Sequence, residues 1–364
     1  MNGFKRFWAD AWLSEARGAS SPFWTLPLRL LEPVVRGVIR KRSNEFDQDP
    51  ARARSSLPVV SVGNLTVGGT NKTPTVDWIL RRLSPHGRAL GVVTRGYGRS
   101  GPPRTFRGVD SRGDELDLGD EPALLAAHHP NVWIAIDPDR VRGVASLESR
   151  GVEWVVADDA FQHRRLARAF DLVLVDASCP WGSGRLLPAG ILREPPSALS
   201  RASAVLLTRA DEADEADLER LRNELEEWVP RDRIHPARLE VSGWLRLGST
   251  ADARSAPSGE AAFVLTGIAR PESLVRTARA ESLEVVGWST FRDHAKIGSE
   301  PFRRVVAEAL QKGAALLVCS EKDLPNLPRD AADSSPLPIW VPRVEMSIDR
   351  GDELLARIAT ALSS

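Results

Sequence analysis

The sequence predicts an α/β protein with a mainly parallel sheet flanked by helices, a second smaller α/β domain and an N-terminal amphipathic helical segment. Short apolar runs alternate with helical stretches from residue 58 to about 211, and a second series of the same kind begins at residue 261. Apolar runs separated by helices are typical of parallel strands that are buried on both faces. The first 47 residues differ, because their apolar side chains recur at helical spacing.

Length and composition set further bounds. A chain of 364 residues is long enough for two domains, each with its own core. Lys plus Arg and Asp plus Glu both count 49, so no global field attracts nucleic acid, and we expect no nucleic-acid partner. Cys179 and Cys319 lie far apart in the sequence, which argues against a disulfide framework and fits a reducing, cytosolic compartment.

The N-terminal segment, residues 1–47, carries one apolar stripe with basic residues on its other side. The stripe consists of Phe4, Phe7, Trp8, Ala11 and Trp12, followed by Leu28, Leu31, Val34, Val35, Val38 and Ile39. No uncharged run approaches the roughly 18 residues that cross a bilayer, and no secretion signal is present. Such a stripe either lies in a membrane interface or packs on the protein's own core. The pattern alone leaves both interpretations open.

The strands and turns after this segment divide the chain. We expect a first α/β domain over residues 48–233, a linker over residues 234–260 and a smaller C-terminal α/β domain over residues 261–364. In the first domain the expected strands are 59–62, 89–94, 132–136, 154–157, 172–175 and 205–208. Ligand sites in parallel sheets lie beyond the carboxyl ends of the strands.

Residues 58–77 read as a buried strand, a glycine-rich turn and the first turn of a helix, which is the arrangement of a phosphate cradle. We expect the turn to bind phosphate through Gly68, Gly69, Thr70 and Asn71. Lys72 can reach the outer phosphates, and the Thr73 hydroxyl can bind a magnesium ion. These residues predict a nucleoside triphosphate ligand; the alternative is a strand and helix joined by an ordinary glycine turn.

Asn71 departs from the pattern GxxxxGK followed by Ser or Thr, because glycine is expected before the lysine. Asn tolerates a positive φ better than other non-glycine residues, so we expect the loop to close.

Three further positions have both a functional and a structural interpretation. Asp158-Asp159 follows an apolar strand, where one carboxylate commonly holds magnesium, although such a pair also caps helices. Asp120, in Gly119-Asp120-Glu121-Pro122, either caps the next helix or serves as a general base. His294 lies in a loop of the second domain, where a lone histidine is more often a structural hydrogen-bond partner.

A series of motifs in one order resembles the tetraacyldisaccharide 4′-kinase family of lipid A biosynthesis. The motifs lie at residues 63–74, 94–99, 119–122, 158–165, 184–190, 192–195, 267–271 and 321–323. The resemblance implies a phosphate-loop NTPase-like fold and transfer of the ATP γ-phosphate to the 4′-hydroxyl of a lipid disaccharide 1-phosphate, giving lipid IVA. ATP and Mg²⁺ are the implied cofactors.

Matching positions carry the implied roles. The resemblance assigns Lys72 and Thr73 to the phosphate loop, Asp120 to the general base, and His294 to its partner. It assigns metal binding to Thr73, Asp159 and Glu194. Departures from the family pattern are Asn71, Ala160 and Ala295.

The resemblance also favours a membrane role for residues 1–47, because a substrate with four acyl chains stays in the bilayer. It implies a peripheral or monotopic enzyme at the cytoplasmic face of the bacterial inner membrane.

Two other functions use the same residues differently. A GTPase or metallochaperone combines the phosphate loop with Thr208-Arg209-Ala210-Asp211, which is loosely similar to a guanine-reading TKxD. A non-catalytic, membrane-bound nucleotide sensor accounts for Asn71 and the amphipathic start. Neither accounts for the downstream series of motifs.

Overall fold

The computed structural model describes residues 23–49, 53–96, 101–111, 118–248, 252–253, 258–291 and 296–364. The chain forms two compact units. Of the described residues, the first unit contains those between 23 and 111, between 118 and 238, and from 346 to 364, and the second contains those between 239 and 345.

The first unit contains a mainly parallel sheet in the strand order β8-β7-β6-β1-β5-β2-β4-β3. The strands are β1 (Val59–Asn64), β2 (Leu90–Thr94), β3 (Arg104–Arg107), β4 (Trp133–Ile136), β5 (Trp154–Asp158), β6 (Phe170–Asp176), β7 (Ala204–Thr208) and β8 (Ile234–Arg246). Only the edge strand β3 pairs antiparallel, with β4, among the described pairs of this unit. Every residue of β1 is buried, so the central strand lies between helical layers, as its apolar sequence predicts.

Five helices of the described residues precede the second unit: α1 (Glu32–Gln48), α2 (Lys72–Leu83), α3 (Asp120–His128), α4 (Arg140–Glu148) and α5 (Glu215–Leu225). Near its carboxyl end, β1 passes very close to the segment that follows β5. A Cβ atom at Gly63 would lie 2.6 Å from Cβ of Phe161. The two carbon atoms would clash at this distance, so only glycine fits at position 63. This close approach brings the phosphate-loop segment next to Asp158 and Asp159.

Helix α1 and the 3₁₀ helix before it (Phe23–Leu31) present different apolar residues to the core and to solvent. Val35 and Ile39 pack against a buried cluster that includes Leu186 and Leu199. Leu30, Val34 and Val38 remain 81%, 64% and 62% exposed. Both interpretations of the stripe therefore find support in the described part, whereas Phe4, Phe7, Trp8, Ala11 and Trp12 lie outside the described residues. No helix among the described residues combines the length and apolarity that crossing a bilayer requires.

The second unit contains a smaller sheet in the order β11-β10-β12-β13-β8, with β9 beside β8. Its elements are β9 (Asp252–Ala253), β10 (Ala261–Thr266), α6 (Pro271–Ala280), β11 (Glu284–Thr290), α7 (Ser299–Gln311), β12 (Leu316–Val318), α8 (Ala331–Ser334) and β13 (Ile339–Ile348). The buried carboxylate of Asp323 accepts hydrogen bonds of 2.7 Å from the Thr266 hydroxyl and from the Gly267 amide. It thereby fixes two of the motifs noted in the sequence, 267–271 and 321–323, at one end of this sheet.

The domain boundaries differ from those expected. Residues 234–246 form strand β8 rather than a linker, because this extended segment pairs its backbone with β7 at Leu206 and His235. The last residues, expected in the C-terminal domain, belong to the first unit. There α9 (Gly351–Ser363) begins beside Trp78 of α2, with a Cβ at Gly351 placed 3.1 Å from the indole ring.

Candidate active site

The loop between β1 and α2 has the backbone geometry that its sequence predicts. Gly68 has φ 110°, and Asn71 has φ 62° and ψ 30°, which is the left-handed conformation. Asn71 therefore fills the position that glycine occupies in the usual pattern, as expected from its tolerance of positive φ. The Asn71 carbonyl oxygen accepts hydrogen bonds from the Thr75 amide and hydroxyl, at 3.2 Å and 2.9 Å, so the turn leads directly into α2.

Lys72 begins α2 and reaches back across the loop. Its Nζ lies 3.3 Å from Oδ1 of Asn64, at the end of β1, and 3.7 Å from Oδ1 of Asp159. The side chain is largely buried, so these two partners hold the ammonium group at the carboxyl edge of the sheet. A phosphate group at this edge would meet a positive charge and the N-terminus of a helix.

Asp159 forms the counter-charge of the site. It has φ 49°, and its carboxylate accepts hydrogen bonds from one guanidinium nitrogen of Arg193 at 2.8 Å and 3.0 Å. Burial alone would raise the pKa of Asp159, but the charges of Lys72 and Arg193 hold this pKa below its ordinary value. Asp159 is therefore ionised at neutral pH, with cations on both sides.

Asp158 differs from its neighbour, because it is fully buried at the end of β5. Its Oδ2 accepts a hydrogen bond of 3.2 Å from the Thr94 hydroxyl. Its Oδ1 is buried and has no hydrogen-bond partner among the described residues. Burial, followed by the negative charges of Glu121 and Asp159, raises the pKa of Asp158 to about 7. An unpartnered buried carboxylate oxygen is the group that a bound cation would satisfy.

The expected metal ligands do not all have free oxygens. Glu194 is buried and pairs with Arg201 at 2.6 Å, while Asp159 pairs with Arg193 as described. Thr73 is buried at the start of α2. Within the described part of the chain, no group of three or more His, Cys, Asp or Glu side chains has the arrangement of a metal site. The resemblance implies Thr73, Asp159 and Glu194 as metal ligands, whereas the unpartnered buried oxygen belongs to Asp158.

Asp120 occupies the first turn of α3 rather than the N-cap position, which is held by Gly119 with φ 83°. The structure therefore does not support the simple capping role. The neighbouring residue, Glu121, is close enough to Asp158 for its charge to raise that group's pKa. The first turn of α3 thus lies near the carboxyl end of β5. His294 lies outside the described residues.

Arg209 contributes a contact that the sequence did not predict. It follows β7 with φ 56° and is buried, with its guanidinium paired to Asp176. The same guanidinium donates a hydrogen bond of 2.7 Å to the carbonyl oxygen of Gly69 and lies 3.5 Å from Oδ1 of Asn71. The Arg209 side chain therefore supports the phosphate loop. In a guanine-reading motif, the basic side chain at this position would instead contact the nucleobase. The only sequence signal was a basic residue directly after a strand of the site-bearing sheet.

The profile of the family described as Tetraacyldisaccharide-1-P 4'-kinase matches residues 24–363. The chain belongs to this family. It is 37% identical over 352 residues to the tetraacyldisaccharide 4'-kinase of Anaeromyxobacter dehalogenans strain 2CP-C, covering 94% of this chain and 92% of the relative. It is 36% identical over 310 residues to that of Chlorobium luteolum, covering 82% and 84%.

A solved structure agrees with the fold. The LpxK structure from Aquifex aeolicus, described as in complex with ATP, superimposes with a TM-score of 0.71 at 23% identity, covering 93% of this chain and 100% of that chain. The family membership confirms the resemblance seen in the sequence. The protein is a kinase of lipid A biosynthesis that phosphorylates the 4′-hydroxyl of a tetraacyldisaccharide 1-phosphate, and the GTPase and sensor alternatives give way to this function.

Proposed function

We propose that the first unit binds ATP with Mg²⁺ at the loop formed by Gly68, Gly69, Thr70, Asn71 and Lys72, and that Asp120 accepts the proton of the lipid's 4′-hydroxyl. The observation that carries this proposal is the position of Lys72, between Asn64 and Asp159 beside a left-handed Asn71. That arrangement combines a cation, loop amides and a helix N-terminus, which together stabilise a triphosphate.

The residues of the site fit a magnesium ion. Asp158 has a buried carboxylate oxygen without a partner in the described residues, and Thr73 offers a hydroxyl at the start of α2. Mg²⁺ in phosphoryl-transfer sites takes one or two protein oxygens and completes its shell with phosphate and water. Asp158 and Thr73 would hold the ion, whereas Asp159 and Glu194, which the resemblance implies as ligands with Thr73, would first have to leave Arg193 and Arg201. When bound, the ion neutralises charge on the β- and γ-phosphates.

The chain's own groups have separate roles in the transfer. Lys72 and the loop amides bind the phosphate oxygens and stabilise charge that develops in the transition state. Asp120 lies in the first turn of α3, beside Glu121, whose charge reaches Asp158. A carboxylate there can orient the acceptor hydroxyl and remove its proton. The orienting role of His294 stays a prediction of the family resemblance.

The exposed apolar residues of α1 and of the 3₁₀ helix before it support docking at the cytoplasmic face of the inner membrane, as a peripheral or monotopic enzyme. Leu30, Val34 and Val38 are exposed, while Arg36, Arg40 and Lys41 supply positive charge on α1. Apolar side chains flanked by cations bind an anionic membrane surface. Such docking would bring the site to a substrate whose acyl chains remain in the bilayer.

Asp120→Ala tests the assignment of the base. We expect kcat to fall by about 10²–10⁴-fold, the usual contribution of general acid–base catalysis, while the dissociation constant for ATP stays unchanged. Asp110→Ala removes an exposed carboxylate from the same unit and serves as the control. A comparable loss of ATP affinity and turnover in Asp120→Ala would reassign this residue to nucleotide binding.

A further inference from the structure

A buried carboxylate lies on the phosphate-loop helix, away from the groups assigned to catalysis. Asp77 of α2 accepts hydrogen bonds of 2.9 Å at Oδ1 from both His128 Nδ1 and His129 Nε2. Its Oδ2 accepts a bond of 2.7 Å from Nε of Arg81. The side chains of Asp77, His128 and His129 are only 9%, 11% and 9% exposed. We call these four residues the Asp77 cluster.

The Asp77 carboxylate stays ionised although it is buried. Burial alone would raise the pKa of Asp77, but the hydrogen bonds from His128 and His129, with the charge of Arg81, hold it well below its usual range. An ionised carboxylate accepts hydrogen bonds only, so both imidazole rings donate to it. Breaking one partner of such a buried group is costly.

The cluster joins the two helices on which Lys72, Thr73 and Asp120 lie. Asp77 follows Lys72 by five residues and Thr73 by four on α2. His128 is the last residue of α3, and Asp120 is the first. A helix of this length spans about 13 Å and moves as one body. Fixing its last turn therefore restricts the position of its first turn.

The backbone at the end of α3 is itself confined. The amide of His129 donates a hydrogen bond of 2.9 Å to the Leu125 carbonyl oxygen. The His129 carbonyl oxygen accepts a hydrogen bond of 3.1 Å from the Val132 amide. A Cβ at Gly108 would lie 2.3 Å from that same carbonyl oxygen, so the neighbouring turn also packs closely against it. The two imidazole rings thus project from a rigid support.

We propose that Asp77 is a positioning residue for phosphoryl transfer, in which the Asp77 cluster fixes α3 to α2 and so sets Asp120 relative to Lys72 and Thr73. This inference rests on the proposed role of Asp120. It gives His128 and His129 a function in turnover although neither lies in the phosphate loop.

Asp77→Asn is the direct test, with Asp171→Asn as the matched control. Asp171 is also a buried carboxylate of the first unit, bonded to Ser61 at 2.6 Å and Arg168 at 3.0 Å, but it lies near the start of β6. We expect Asp77→Asn to lower kcat about 10-fold or more with ATP affinity changed less than about threefold. We expect Asp171→Asn to leave kcat within about twofold of wild type. Equal losses in the two variants would overturn the proposal.

A double-mutant cycle shows whether Asp77 acts through Asp120. If it does, Asp77→Asn added to Asp120→Ala slows the enzyme no further, because the positioned group is already absent. Multiplying losses would overturn the proposal. If Asp120→Ala turned over at the wild-type rate, Asp120 would not be the base, and the proposed function would fail. If Asp120→Ala were slow but Asp77→Asn had the wild-type kcat, only the positioning role of Asp77 would be rejected.

A second pair of variants covers the case in which Asp77→Asn does not fold. His129→Gln retains an amide donor near the position of Nε2, and His129→Leu removes the donor at similar volume. We expect His129→Gln to keep kcat within about threefold of wild type and His129→Leu to lose about 10-fold, with ATP affinity retained in both. Identical kcat values in the two variants would contradict the proposal.

Discussion

The guanidinium of Arg209 donates a hydrogen bond of 2.7 Å to the carbonyl oxygen of Gly69. The same side chain is paired with the buried carboxylate of Asp176. Arg209 therefore connects the phosphate loop to the end of β6, the strand next to β1. A planar guanidinium can serve two acceptors in different directions at once, which a lysine ammonium on a flexible stem does less well.

Arg209→Lys should therefore weaken nucleotide binding more than it slows chemistry. The variant keeps a charge near Asp176 but loses the bridge to Gly69. Loss of a charged hydrogen bond of about 1.5–3 kcal/mol predicts a rise of about 10-fold or more in the ATP dissociation constant. Calorimetry with a non-hydrolysable ATP analogue measures it, with Arg220→Lys on the surface of α5 as the control. Unchanged affinity would show that the loop does not need this support.

Asn71 supplies a prediction about stability. Its φ of 62° is accessible to Gly and Asn but strained for a β-branched residue. We expect Asn71→Gly to leave the free energy of unfolding within about 0.5 kcal/mol of wild type and Asn71→Val to lower it by about 1–3 kcal/mol. Urea unfolding of both variants measures the difference. Equal stabilities would mean that the loop rearranges at no cost.

Asp158 predicts a pH-dependent gain in stability on mutation. Its pKa is raised from the ordinary 3.8 to about 7, chiefly by burial. Between these values the folded protein holds a proton that the unfolded chain has released, so this residue's contribution to stability falls as pH rises. Above pH 7 the folded state carries the full cost of an ionised, buried group. Asp158→Asn should therefore stabilise the magnesium-free protein at high pH.

Thermal unfolding without magnesium checks this at two pH values. We expect Asp158→Asn to raise Tm by about 3 °C or more at pH 8, with a gain less than about half as large near pH 5, where only part of the cost has developed, while kinase activity is lost. Thr94 provides a control, because Thr94→Val removes the hydrogen bond to Asp158 and leaves the charge. A gain of equal size at both pH values would contradict the assigned cause.

The exposed apolar residues of α1 and of the 3₁₀ helix before it predict a separation of membrane binding from catalysis. The triple variant Leu30→Glu, Val34→Glu and Val38→Glu should lose most binding to anionic vesicles. It replaces apolar side chains with negative charges, which the anionic lipid surface repels. Nucleotide affinity should not change, since Val35 and Ile39 still pack on the core. Deletion of residues 1–42 should also lower binding to anionic vesicles.

Vesicle sedimentation measures this binding, and Leu310→Glu is the control. Leu310 is an exposed apolar residue of the second unit, so the same chemical change falls on another surface. Unaltered sedimentation of the triple variant would contradict a membrane role for α1.

The sequence predicted the parallel sheet of the first unit well, because strands buried on both faces leave continuous apolar runs such as Val59–Asn64. It did not predict that residues 346–364 return to the first unit. That placement depends on packing between α9 and α2, far apart in the sequence, and no local pattern encodes it. The sequence also predicts a linker where strand β8 lies, because the strand is defined by its pairing with β7 and not by a local pattern.

The phosphate loop was predictable because its chemistry is local: Asn71 and Lys72 follow one another, and the backbone conformation follows from residue type. The division of roles between Asp158 and Asp159 was not predictable, because it depends on burial and on which neighbour, Arg193 or Thr94, each carboxylate meets. The Asp77 cluster was missed as well. Its histidines lie about fifty residues from Asp77 in sequence.

Transfer of labelled phosphate from ATP to the tetraacyldisaccharide 1-phosphate, with magnesium present, tests the assigned site most directly when wild type and Lys72→Met are compared. The Lys72 ammonium lies between Asn64 and Asp159, so its loss should reduce formation of the labelled 4′-phosphorylated lipid by about 10²-fold or more. Formation of labelled lipid by Lys72→Met at the wild-type rate would contradict the account.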